Sequence, residues 1–122
     1  MEDLRNIRIT AKADSIIEEL QSRFLFKTAQ AAERFALVYA LKNYRDKIDF
    51  ESLDATYKSD GTNQNTATID TSNNLFQKLI CIIYPKCETP YRYIRVAIIF
   101  GLYKIDELMK ESDFSFESLF NS

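Results

Sequence analysis

Apolar and polar residues alternate at the start of the chain. Ile7 and Ile9 are separated by Asn6, Arg8 and Thr10, and a period of two predicts a short, half-buried strand over residues 6–10. The spacing then changes. Ile16, Ile17, Leu20 and Phe24 recur at intervals of three and four, with Glu18, Glu19 and Arg23 between them, which predicts an amphipathic helix capped by Thr10 or Asp14. Leu25 to Lys27 reads as a turn, and Thr28 as the N-cap of a second helix over about 29–44. Ala32, Phe35, Ala36, Tyr39 and Ala40 share one face of that helix, widened by Leu37, Val38 and Leu41. Phe35 and Tyr39 are therefore expected as core or interface anchors.

The pattern loses its period from residue 46 onward. Ser59 to Asn65 is turn chemistry, so residues 46–71 read as a long surface loop, with Thr66 to Ile69 as a possible short strand. A third helix is predicted over about 72–84, burying Leu75, Phe76, Leu79, Ile80 and Ile83, with Cys81 on the same helix buried and Cys87 in a loop. Pro85 stops it. Thr89 and Pro90 start a fourth helix carrying Tyr91, Ile94, Ala97, Ile98 and Leu102, because proline at the first helical position forfeits no hydrogen bond. Gly101 either admits a close neighbour or ends that helix, and Asp106 is expected to cap a last short helix through Lys110. The apolar tail, residues 112–122, is expected to dock on its own domain or on a partner.

This order predicts a mainly α protein: one compact helical domain, residues 1–122, with a short N-terminal strand and a start like that of a ribbon-helix-helix module. In that module two chains pair their strands, and the outward residues enter the DNA major groove. Here those residues are Asn6, Arg8 and Thr10, with the helix N-terminus at Thr28 offering amides to a phosphate.

Composition narrows the function further. The 122 residues contain no histidine, two glycines and two cysteines. The commonest general base is absent, two glycines cannot build a phosphate loop, and Cys81 and Cys87 alone do not make a zinc site. Adjacent acids such as Glu18–Glu19 and Asp106–Glu107 do not face one another on a helix. We therefore expect no catalysis, cofactor or metal. No apolar run approaches the ~20 residues of a membrane helix, and the charged start, Met1 to Arg5, lacks the apolar centre of a signal peptide, so a cytoplasmic protein with no membrane partner is expected. Charge is uneven. Residues 1–47 hold nine Lys/Arg and seven Asp/Glu, whereas residues 48–122 hold seven and eleven. A local basic face in the first part is compatible with the net charge of −2, because the potential at a patch matters more than the total. Its candidate DNA contacts are Arg5, Arg8, Lys12, Lys27 and Arg34.

Several segments resemble DndE, the small protein of the bacterial DNA phosphorothioation (sulfur-modification) operon. They are Ile7 to Thr10, the helix from Ala13 to Phe24, and Ala32 to Leu41. Further along come Asn65 to Thr68, Leu75 to Ile80, Tyr91 to Arg95 with Gly101, and Ile105 to Leu108. Together they span about residues 5–110. The resemblance implies a helical fold, a homo-oligomer, binding of DNA including nicked duplex, and partnership with other DNA-modification or phage-defence proteins, without catalysis. It adds Arg92 and Arg95 as a second pair of DNA contacts. The alternatives are a helical protein–protein adaptor of a defence operon and a ribbon-helix-helix regulator or antitoxin.

Overall fold

A computed structural model describes residues 1–24, 26–111 and 114–119. Leu25 of the predicted turn, and residues 112, 113 and 120–122 of the predicted tail, lie outside the described residues. The order of elements is β1 (Asn6–Arg8), α1 (Ala11–Arg23), α2 (Ala29–Tyr44), α3 (Phe50–Thr56), β2 (Asn63–Asn65), α4 (Thr66–Ile69), α5 (Leu75–Ile83) and α6 (Pro90–Met109), followed by a 3-10 turn at Phe116–Leu119. The protein is mainly helical with a short two-stranded antiparallel sheet, as its sequence pattern predicts.

α6 is the central element. β1, α1, α2, α3 and α5 all pack on it, and its residues from Ile94 to Ile99 are buried in unbroken succession. The closest approach is with α2. A methyl group built on Gly101 would collide with the backbone carbonyl of Ala36, so a residue without Cβ is required at the crossing. This removes the predicted break. Residues 90–109 form one helix, and Asp106 lies inside it, paired with Lys110 at 3.1 Å.

β1 finds its partner within the same chain. Asn6 lies opposite Asn65, Ile7 opposite Gln64 and Arg8 opposite Asn63. Ile9 and Gly61 extend the pairing, with Ile9 N–H donating to Thr62 C=O at 3.1 Å and Gly61 N–H to Ile9 C=O at 2.8 Å. The strand therefore needs no second chain, which corrects the two-chain ribbon and removes one reason for expecting an oligomer. Thr10 ends the strand and caps α1, its hydroxyl accepting from Ala13 N–H at 3.0 Å.

The predicted loop over 46–71 is also corrected. It contains α3, β2 and α4. Asp49 caps α3 by accepting from Ser52 N–H, and Phe50 is buried, its ring stacked on Tyr93 with centroids 4.1 Å apart. Thr66–Ile69 is a single helical turn instead of a strand, capped by Asn65, whose Oδ1 accepts from Ala67 N–H at 2.9 Å. The third predicted helix starts late, at Leu75, because Asn73 and Asn74 adopt left-handed backbone angles, φ 53° and 58°, a conformation asparagine tolerates better than most residues. Along α5 only Ile80 is buried; Leu75 is exposed, and so is Cys81, contrary to expectation. Near the tail, Phe114 packs edge-on against Phe24, with ring centroids 5.9 Å apart.

Candidate nucleic-acid interface

The two strands place four polar side chains on one outward face. Ile7 and Gln64 point into the protein, so alternation turns Asn6, Arg8, Asn63 and Asn65 outward, and all four are exposed. The side chains of Asn6, Arg8 and Asn63 make no hydrogen bond or ion pair among the described residues. Asn65 has its amide N–H groups available, while one lone pair of its oxygen is engaged in capping α4.

The inward face of β2 rests on a buried polar relay. Gln30 Nε2 donates to Gln64 Oε1 at 2.9 Å, and Gln64 Nε2 donates to both carboxyl oxygens of Glu33 at 2.7 and 2.6 Å. Glu33 is fully buried on α2. Burial pushes its carboxyl up to about 7, against the opposing pull of the Gln64 hydrogen bond and the Arg34 charge. Desolvation dominates because an uncompensated charge is expensive away from water.

The remaining predicted contacts separate by what already holds them. Arg5, Lys12 and Lys27 are exposed, with the Lys12 ammonium 4.6 Å from the centre of the Tyr103 ring. Thr28 is exposed and caps α2 by accepting from Ala31 N–H at 3.1 Å. Thr10 is buried, and its hydroxyl also shares a 2.7 Å hydrogen bond with that of Tyr103. Arg34 is half-buried and donates to the Ile69 and Thr68 carbonyls at 2.9 and 2.8 Å. Arg92 donates to the Glu2 carbonyl at 2.8 Å and pairs with Asp54 at 3.1 Å. Arg95 is 4% exposed. It donates to the carbonyls of Arg8, Tyr57 and Lys58 at 2.7, 3.0 and 3.0 Å and reaches Asp54 at 3.5 Å. Thr10 and Arg95 are thus internal ties and not surface contacts. Of the two expected anchors, Tyr39 is buried. Phe35 is half-buried, its ring centroid 5.4 Å from that of Phe26.

Two acids explain why other helix N-termini do not offer anion sites. Asp3 accepts from the N–H groups of Tyr91 and Arg92, both at 3.1 Å, at the start of α6. Asp70 accepts from those of Phe76 and Gln77, at 2.9 and 3.1 Å, at the start of α5. Carboxylates there satisfy the orphan amides and the positive end of the helix dipole.

Asn63 and Asn65 were not recognisable as part of the site. Asn63-Gln64-Asn65 carries no apolar residue, so its alternation is invisible to hydrophobic periodicity: the buried member is a glutamine. No group of three or more metal-ligating side chains lies together among the described residues, and no described helix is long and apolar enough to cross a membrane. Compared with protein-family models, curated proteins and solved structures, the chain matches none.

Proposed function

We propose that this chain is a non-catalytic DNA-binding subunit of a bacterial DNA sulfur-modification or phage-defence complex. The observation that carries the reading is the outward face of the β1–β2 pair, which offers amide and guanidinium groups from Asn6, Arg8, Asn63 and Asn65 without a carboxylate among these four. Exposed Arg5, Lys12 and Lys27 add positive charge in the N-terminal segment. The resemblance to DndE over about residues 5–110 supports the same class of function and the same partners. Binding through phosphates makes affinity fall with salt, with a log–log slope near −0.9 per phosphate contacted. The test is a salt titration on intact and nicked duplexes with wild type, Arg8→Ala and Lys27→Ala. Loss of Lys27 as a phosphate contact gives weaker binding and a shallower slope, and Arg8→Ala gives weaker binding, with a shallower slope only if Arg8 meets phosphate and not a base. Absence of binding at ~50 mM salt, where charge contacts are strong, would remove DNA from the reading.

A second reading, a helical adaptor that binds another protein, draws on a different observation. α5 leaves Leu75 and Ile82 exposed, seven residues apart and so on one face of the helix. Large apolar side chains left in water mark contact surfaces when they cluster. Capture of the neighbouring operon's proteins by wild type but not by Ile82→Asp favours this reading, and undiminished capture by the variant counts against it. A homo-oligomer built through the same apolar surface belongs with either reading.

A further inference from the structure

We propose that the β1–β2 pair of a single chain reads base sequence in the major groove of B-form DNA, through Asn6, Arg8, Asn63 and Asn65. The inference rests on the DNA-binding reading above and deepens it: it names the groove, the contacted bases and the number of chains needed.

The geometry favours this groove. A two-stranded antiparallel ribbon fits the major groove of B-DNA, about 12 Å wide, and not the narrow, deep major groove of A-form RNA. Side chains two apart on a strand lie about 6.6–6.8 Å from one another. That is close to two steps of ~3.4 Å along a nucleic-acid strand. Asn6 and Arg8 therefore sit over bases about two steps apart. Asn65 and Asn63 lie beside them across the ribbon, in the register of Asn6 with Asn65 and Arg8 with Asn63. The four side chains cover roughly three or four base pairs.

The side-chain chemistry gives the expected site. Arginine donates twice to guanine O6 and N7, and asparagine pairs with adenine N6 and N7. Arg8, Asn6 and Asn63 keep their full donor and acceptor sets. Asn65 has one lone pair of its oxygen engaged by Ala67 N–H, which turns that oxygen toward α4 and leaves the amide N–H groups as its main reading groups, so it discriminates less between adenine and guanine. The expected site holds one guanine with an adenine next to it, and a second adenine about two steps away. One chain suffices, because both strands come from it.

Both strands of the ribbon are also tied to the body of the protein. Arg95 donates to the Arg8 carbonyl at 2.7 Å, and the Gln30–Gln64–Glu33 relay holds β2 from beneath. A reading head must keep its groups fixed, since a donor displaced by an ångström loses its bond.

The test begins with selection of bound duplexes from a DNA pool with a randomised core. Anisotropy titrations then follow on the selected duplex, a scrambled duplex and the selected sequence as duplex RNA. Wild type should return a short guanine- and adenine-containing consensus and bind the RNA duplex less well. Arg8→Ala and Asn63→Ala alter exposed side chains, and circular dichroism checks that they fold. Each should lower the preference for the selected over the scrambled duplex by roughly five- to 150-fold, with little change in salt slope. Binding without any consensus overturns the inference and leaves the DNA-binding reading standing. So does equal binding of the RNA duplex, or an Arg8→Ala effect that is uniform across sequences with a shallower slope. No binding to any duplex overturns both.

Discussion

α5 and α6 are both rich in apolar residues, yet they end in opposite environments. α6 buries a continuous run from Ile94 to Ile99, whereas α5 buries Ile80 alone among its nine residues. Leu75 is 55% exposed and Ile82 75%. The difference comes from neighbours and not from composition. α6 is surrounded by β1, α1, α2, α3 and α5, while α5 has α6 as its principal neighbour. A helix with one neighbour covers one stripe, and its remaining apolar residues stay in water until something else covers them. α6 is therefore where substitutions should unfold the protein, and α5 is where they should change its associations.

The largest effect should come from the crossing of α6 with α2. Gly101→Leu forces a side chain into the Ala36 backbone, which cannot move without separating the two helices. Overpacking of this kind costs ~3 kcal/mol or more, and the urea midpoint should fall sharply or the variant should fail to fold. A Gly101→Leu protein with an unchanged midpoint would place the crossing elsewhere. Next in size is Arg95→Ala, expected to destabilise by about 3 kcal/mol. It leaves the carbonyls of Arg8, Tyr57 and Lys58 without their donor and removes one of the two arginines on Asp54. Removing one partner from a buried charge network is costly in this range. If stability is unaffected and only DNA affinity falls, Arg95 belongs on the surface after all.

Glu33 gives a pH-dependent test in the helix that faces α6. Its folded-state value of about 7 lies above the ordinary 4.5, so the folded protein holds this proton more tightly than the unfolded chain. The sign follows from that. The associated stability is fully present below 4.5 and is lost as pH rises through about 7. The difference corresponds to an order of 3 kcal/mol between pH 4.5 and pH 8. Wild type should weaken over this window by more than Glu33→Gln, which has no proton to lose. Parallel stability profiles for the two proteins would show that the carboxyl is solvated, against its complete burial.

Many of the element starts were already written in the sequence, and the part that was not has physical causes. Thr10, Thr28 and Pro90 mark helix starts because caps and N-terminal prolines act locally, within one turn. Isoleucines 7 and 9 mark a strand for the same reason. The partner strand was hidden because its buried residue is polar: Gln64 is held by hydrogen bonds to Glu33 and Gln30. The burial of Arg95 was equally hidden, since its carbonyl partners come from β1 and from the segment after α3, far away in sequence. Nor does the pattern of α5 reveal how little of it is covered. Leu75, Leu79 and Ile82 have helical spacing whether they meet protein or water, and only the arrangement of other elements decides between these.

The smallest effect on stability and the most informative about association should come from Ile82→Ser combined with Leu75→Ser. Both side chains are largely exposed, and surface substitutions of this kind change stability by about 0.5 kcal/mol or less. The same two residues buried against another molecule would contribute roughly 1.5–3 kcal/mol each, and twice that in a symmetric pair, where each copy supplies the same surface. The double variant thus separates folding from association by size of effect. Light scattering on wild type should give a mass above the 14.2 kDa of one chain, and the double variant should return to that mass while its melting temperature stays nearly unchanged. A wild-type mass of one chain at micromolar concentration would end the homo-oligomer expectation and leave the α5 surface to a different partner. A large drop in melting temperature in a monomeric background would instead mean that α5 is buried by its own chain, and the contrast with α6 would disappear.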